Sequence, residues 1–230
     1  MRRTLALTIL LTIVFCSPVF AETKLLIDLI GGETITSGDK LFDEFSYVPT
    51  GDMPAASLVA VTTITDTFGN FGISFSGNFV DHFSSPGGSD ALIRFRVTAL
   101  DENKLISDVH LAGNPHAVDD ASMEVVESFL GSDPSGNGGP EVKLSIYHIT
   151  AGTNPSGNER LVDSLVFDKL YRSILVQKDI AALALNDNAL ASLSFVDQTF
   201  SQVTIPEPTS IVFLISGVGL IACCVRRRKR

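Results

Sequence analysis

Along much of the chain, apolar and polar residues alternate one by one. In "FGISFSGNFV", Phe71, Ile73 and Phe75 fall on one side, with Gly72, Ser74 and Ser76 on the other. In "ALIRFRVTAL", Ile93, Phe95, Val97 and Ala99 oppose Arg94, Arg96 and Thr98. In "EVKLSIYHIT", Val142, Leu144 and Ile146 oppose Lys143, Ser145 and Tyr147. "SLVAVTTIT", "SMEVVESFL", "RLVDSLVFD", "SILVQKDI" and "ALASLSFVDQTF" follow the same rule. Successive side chains of an extended chain point to opposite faces, so period two marks strands with one face on a core. Turn-forming residues separate the segments: Gly31-Gly32, Pro49-Thr50-Gly51-Asp52, Phe68-Gly69-Asn70, Pro86-Gly87-Gly88, and the stretches 134–140 and 154–158. About ten strands so spaced predict an all-β fold, an antiparallel two-sheet β-sandwich of jelly-roll type. One segment departs from this. "KDIAALALND" is rich in Ala and Leu, which predicts a short helix over 178–185.

The two ends have a different pattern. The chain starts "MRRTLALTILLTIVFCSPVFAE", with Arg2 and Arg3, an apolar run from Leu5 to Phe15, and the close Val19-Phe20-Ala21. This is the three-part layout of a secretory signal peptide cut between Ala21 and Glu22. Near the other end, residues 209–225 are 17 positions without a charge, at the short end of what crosses a hydrocarbon core. Arg226, Arg227, Arg228, Lys229 and Arg230 follow at once. Cations beside a span stay on the cytoplasmic side, so the tail reads as a stop-transfer transmembrane helix with the body outside. The expected organisation is a signal peptide (1–21), a β-sandwich ectodomain (22–199), a linker (200–205) and a C-terminal tail (206–230).

The tail opens with Pro206, Glu207 and Pro208. Two prolines remove backbone donors and favour an extended chain, a form that a protease cleft binds readily. Leader, exported body, Pro-Glu-Pro, short span and basic end, in that order, resemble the PEP-CTERM sorting signal of Gram-negative bacteria. The resemblance covers the leader and about 25 C-terminal residues, with Ile205 where the family often has Val. It implies recognition by exosortase, a membrane-embedded cysteine protease or transpeptidase. It also implies passage through the inner membrane, release or attachment at the cell surface, and a link to exopolysaccharide and biofilm matrix. "GDKLFDEFSY", "GDMPAAS", "GSDALIRF", "DVHLAGNP" and "SFVDQTFSQ" resemble the ectodomain of a group of PEP-CTERM proteins. That second resemblance implies an exported β-rich domain and assigns no site.

Charge and cysteine usage change the picture in two ways. Ten of the 17 Lys and Arg but 25 of the 26 Asp and Glu lie in 22–205, so the body carries −15 against −9 for the chain. Such a body repels nucleic acid, which is excluded as a partner. All three cysteines, Cys16, Cys223 and Cys224, lie in the leader or the tail. The body therefore has no disulfide despite its exported address, and core packing must hold it. Fifteen Phe and no Trp fit an aromatic β core and argue against a Trp platform for sugars.

Candidate chemistry is sparse. Asp108, His110, His116, Asp119 and Asp120 fall within 13 residues, a mixture of imidazole and carboxylate that suits a transition metal. Their spacing matches no zinc signature. Asp133, Ser135, Asn137 and Gly138 mimic the first half of a calcium loop, but the twelfth position is Leu144, which cannot ligate. No cofactor is expected, with calcium the one that so acidic a body leaves open. No G-x-S-x-G elbow or body cysteine supplies a nucleophile, and His82 and His148 stand alone. The reading is a non-enzymatic surface or matrix protein sorted by exosortase. The alternatives are a carbohydrate-binding module contacting extracellular polysaccharide, or a secreted hydrolase.

Overall fold

The computed structural model describes residues 21–84, 87–130, 142–152 and 158–205. The expected leader, the Pro206, Glu207 and Pro208 motif, the span, the basic end from Arg226 to Arg230 and the half calcium loop lie outside the described residues. Among the described residues no helix is long and apolar enough to cross a membrane.

Two antiparallel sheets face each other as a sandwich. The first contains β1 (Thr23–Leu25), β4 (Ala60–Thr65), β5 (Phe71–His82), β14 (Leu190–Thr204), β7 (Lys104–Gly113) and β12 (Val162–Tyr171) in spatial order, with β8 (His116–Val118) also paired to β14. The second runs β11 (Asn158–Arg160), β10 (Lys143–Ile149), β9 (Ala121–Leu130), β13 (Ser173–Ala184), β6 (Ser89–Ala99), β3 (Lys40–Thr50) and β2 (Ile35–Ser37). A five-residue helix, α1 (Leu26–Ile30), buries Leu26 and Leu29. The eight alternating segments are β4, β5, β6, β9, β10, β12, β13 and β14. Four of the described strands, β1, β2, β8 and β11, are three residues long and carry too little pattern to read.

The helix expected over 178–185 is a strand. Lys178, Ile180, Ala182 and Ala184 are buried while Ala181, Leu183 and Leu185 are exposed, a period of two rather than 3.6. β13 is paired on both sides, by β9 and β6. Those ladders and the buried face override the helical propensity of Ala and Leu. The expected linker over 200–205 is also largely strand. β14 continues to Thr204, and Phe200 holds an inward position with no exposed surface. Ile205 still donates to the Asn103 carbonyl at 2.7 Å.

The core is a layer of aromatic rings between the sheets. Phe95 lies 6.1 Å from Phe42, 5.7 Å from Phe45 and 5.6 Å from Phe75, and Phe42 is 6.2 Å from Phe200. The rings come from β3 and β6 of one sheet and β5 and β14 of the other. Tilted and stacked contacts of this kind add about 0.5–1.5 kcal/mol per pair beyond area burial. They tie the two layers together at one end and leave the outer faces free to vary.

Candidate functional site

The outer face of the first sheet carries short side chains in straight rows. One row runs Ile64, Gly72, Thr199, His110 and Ser164 across β4, β5, β14, β7 and β12. The next runs Thr62, Ser74, Asp197, Ala112 and Val162. Alternation sends Phe75, Val196, Val109 and Leu111 into the core, so their sequence neighbours form this face. Gly72 leaves bare backbone in the first row.

The β4–β5 turn stands over one side of the rows. The Asp66 carboxylate accepts from the Phe68 and Asn70 backbone N–H groups at 2.9 Å each, and from Asn70 Nδ2 at 2.8 Å. It also accepts from the Thr199 hydroxyl at 3.0 Å, and Asn70 Oδ1 accepts from the Ser201 hydroxyl at 2.9 Å. Gly69 takes φ +85° at the tip, a conformation that glycine adopts without strain. The turn is thereby pinned to β14. Phe68 projects from it with 84% of its surface exposed.

Turn, rows and β12 enclose a groove of about 670 Å³. Asp66, Asp197, Asp163 and His110 supply its polar groups, and Val162 and Phe68 its apolar walls. Asp163 is held by the Ser145 and Ser164 N–H groups at 3.0 Å and by Arg160 at 3.1 Å. His110 Nε2 lies 3.2 Å from Asp108 Oδ1. Among the described residues no protein group donates to the Asp197 carboxylate, which leaves it open to an external hydroxyl. Carboxylates, an imidazole, hydroxyls and one exposed ring form a set that orients a polar ligand with an apolar face.

Burial alone would raise the Asp66 pKa, but hydrogen bonds from Asn70, Thr199 and Phe68 outweigh it and hold the carboxyl below its ordinary value. A carboxyl lowered on folding stabilises the native state above its unfolded pKa, and loses that effect as pH falls through the folded value. Melting temperature should therefore fall on acidification from about pH 4 downward. In Asp66→Asn this part of the acid dependence should be absent, measured as Tm against pH. An unchanged acid limb would show that the turn does not couple to folding.

The sequence cluster of metal-ligand types is dispersed. Asp108 and His110 stay adjacent on the outer face. His116 sits in β8, its ring 5.6 Å from that of His148, whose Nδ1 accepts from the Ala117 N–H at 3.1 Å. Asp119 and Asp120 line a separate depression of about 470 Å³ with Thr150, Asp187 and two asparagines. His82 is exposed, with its N–H 3.2 Å from Asp52. Among the described residues no group of three or more His, Cys, Asp or Glu is placed to hold a metal. Glu22 pairs with Thr63 at the start of the first sheet, its N–H meeting the Thr63 hydroxyl and its carbonyl the Thr63 N–H, both at 2.8 Å.

Phe68, Asp66 and Asp197 were not among the sequence candidates. "TDTFGN" carried the signal: an Asp-x-Phe-Gly-Asn turn places an aromatic at a tip, where it has no core to join. A second missed group lies inside the sandwich. Lys178, Glu127 and Gln198 are each 0% exposed. Lys178 Nζ donates to Glu127 Oε2 and to Gln198 Oε1, the latter at 2.7 Å.

No family model matches this chain, and no curated protein matches it. Among solved structures it is similar to the carbohydrate-binding module TmCBM61, in complex with β-1,4-galactotriose. The identity is 10%, the match covers 67% of this chain and 88% of that one, and the TM-score is 0.31. Likeness at that level carries no argument about fold detail or ligand.

Proposed function

We propose that this is an exported, non-enzymatic surface or matrix protein whose sandwich, of jelly-roll type, binds polysaccharide in the groove beneath Phe68. The observation that supports this reading is the pairing of one exposed ring with the open Asp197 carboxylate on a floor of short side chains. A sugar ring has an apolar C–H face and a rim of hydroxyls. Phe68 meets the first and Asp197 and His110 the second. The acidic body favours neutral or cation-bridged glycans over anionic ones.

A glycan array probed with residues 22–205, with and without calcium, tests this. On the best binder, Phe68→Ala should lose roughly 1–2 kcal/mol, about 5- to 30-fold in Kd. Asp197→Ala should weaken the same interaction, while Val48→Ala on the opposite sheet should not. A folded protein that retains no glycan in either condition would refute the reading.

The route to the surface belongs to the same proposal. Exosortase would read Pro206, Glu207 and Pro208, the span over 209–225 would hold the chain in the inner membrane until then, and Arg226 to Arg230 would orient it. Glu207→Ala should leave membrane insertion intact and block processing. Removal of the five cations should impair orientation instead. Size and fractionation of a tagged chain in a host with the sorting enzyme distinguish the two. Wild type remaining full length in the inner membrane would replace sorting with a plain single-pass anchor.

A further inference from the structure

The trio of Lys178, Glu127 and Gln198 has no part in the groove. It joins both sheets through the middle of the core: Lys178 is on β13, Glu127 on β9, and Gln198 on β14 of the facing sheet. Lys178 and Glu127 are direct register partners. Along their strands they are flanked by Val176, Ile180, Val125 and Phe129, all buried. The second oxygen of the Glu127 carboxyl is buried with no hydrogen-bond partner. A charged pair in this setting is held at high desolvation cost, and an apolar trio of similar volume would pack at least as well.

The arrangement has a chemical use. An amine nitrogen rests 2.7 Å from the oxygen of a carboxamide, one bond away from its carbonyl carbon. A carboxyl group contacts that amine. The Gln198 amide nitrogen is 3.4 Å from the His110 carbonyl, and the same side chain is close enough to Glu127 to act on its carboxyl. We propose that Lys178 and Gln198 form an intramolecular isopeptide bond, with Glu127 carrying the proton.

In the step, the neutral Lys178 amine attacks Gln198 Cδ, and a new C–N bond forms. Glu127 takes a proton from Nζ and delivers one to Gln198 Nε2. The Cδ–Nε2 bond breaks and ammonia leaves. Glu127 returns to its starting state, and no oxidant or co-reactant is consumed. Burial lowers the Lys178 pKa and raises that of Glu127, with each partner opposing the effect on the other. Both shifts favour the neutral amine and the protonated acid that the step needs. Fixed contact in a dry core supplies the proximity that an unactivated amide requires.

The bond would join β14, the strand that leads to the C-terminal tail, to the centre of the opposite sheet. It would give a cysteine-free body the covalent staple that exported domains commonly take from disulfides. This holds whether or not the groove binds glycan.

Full-length protein, purified in detergent, denatured and digested with trypsin, tests the proposal. The expected product is a peptide that begins at Ser173, is uncut after Lys178 and is lighter by one ammonia. Fragmentation should place the link between Lys178 and Gln198. Glu127→Leu should abolish the link and restore cleavage after Lys178, with folding checked by circular dichroism. The bond itself is decided on the wild-type chain, so a variant that fails to fold leaves the test intact. Cleavage after Lys178 with unaltered mass would overturn the proposal. Loss of water with a link to Glu127 would overturn the assignment to Gln198, and a link that survives in Glu127→Leu would overturn the role of the carboxyl.

Discussion

Lys178→Ala is expected to lower the unfolding free energy by about 3–5 kcal/mol, because it leaves the Glu127 carboxyl buried without its nitrogen partner. Both side chains are fully buried, so water cannot compensate. The lost stem also opens a cavity in the centre of the core. The double change Lys178→Met, Glu127→Leu removes both polar groups at nearly conserved volume. It should be more stable than either single variant, a positive coupling that a mere packing role for the lysine stem would not produce. Denaturant unfolding of the four proteins reads this directly. Additive losses would mean that the two groups do not interact in the folded state.

The second large effect is expected at a glycine. A Cβ on Gly72 would sit 1.8 Å from the Gln198 carbonyl oxygen and 2.7 Å from the Thr199 Cα. Both obstacles are backbone of the paired strand, so no side chain can turn aside. Gly72→Ala should cost about 3 kcal/mol or more and disturb the β5–β14 ladder. The same displacement would shift Thr199 and, through it, the Asp66 turn. Glycan binding should therefore fall along with stability. A fully stable Gly72→Ala with unaltered melting would show that the β5–β14 ladder has room for a methyl group at this position.

How much of this was legible in the sequence depends on regularity. The eight alternating segments were legible because most of each keeps a period of two, even though β12 and β14 carry register shifts. β3 and β7 were not legible in that way. In β3 the register shifts between Asp43 and Ser46, where Glu44 takes φ 53°. In β7 two consecutive residues, Ile106 and Ser107, are buried, next to a shift opposite β14. A bulge adds a residue and swaps the faces, which erases the period on either side. The metal-type cluster failed for a related reason. Residues close in sequence were divided among β7, β8 and the connection to β9, and strands carry neighbours apart by over 3 Å per residue. The groove was hidden because its members come from four separated segments, around positions 66, 110, 163 and 197.

The sequence by itself determined the period-two pattern, and with it the all-β class and the faces of most strands. It also determined the acidic body, the absence of body cysteines, and the ordered signals at the two ends from which export is inferred. These are local properties, readable because side-chain direction and charge depend on the chain alone. Only the tertiary structure decided that 178–184 is strand, since that required β9 and β6 on either side. Only the tertiary structure placed Glu127 and Gln198, 71 positions apart in sequence, against one lysine. Each of the three was visible as a polar residue on an inward phase. What brought them together was the pairing of β13 with β9 and the closure of β14 over both, a long-range event that no local pattern encodes.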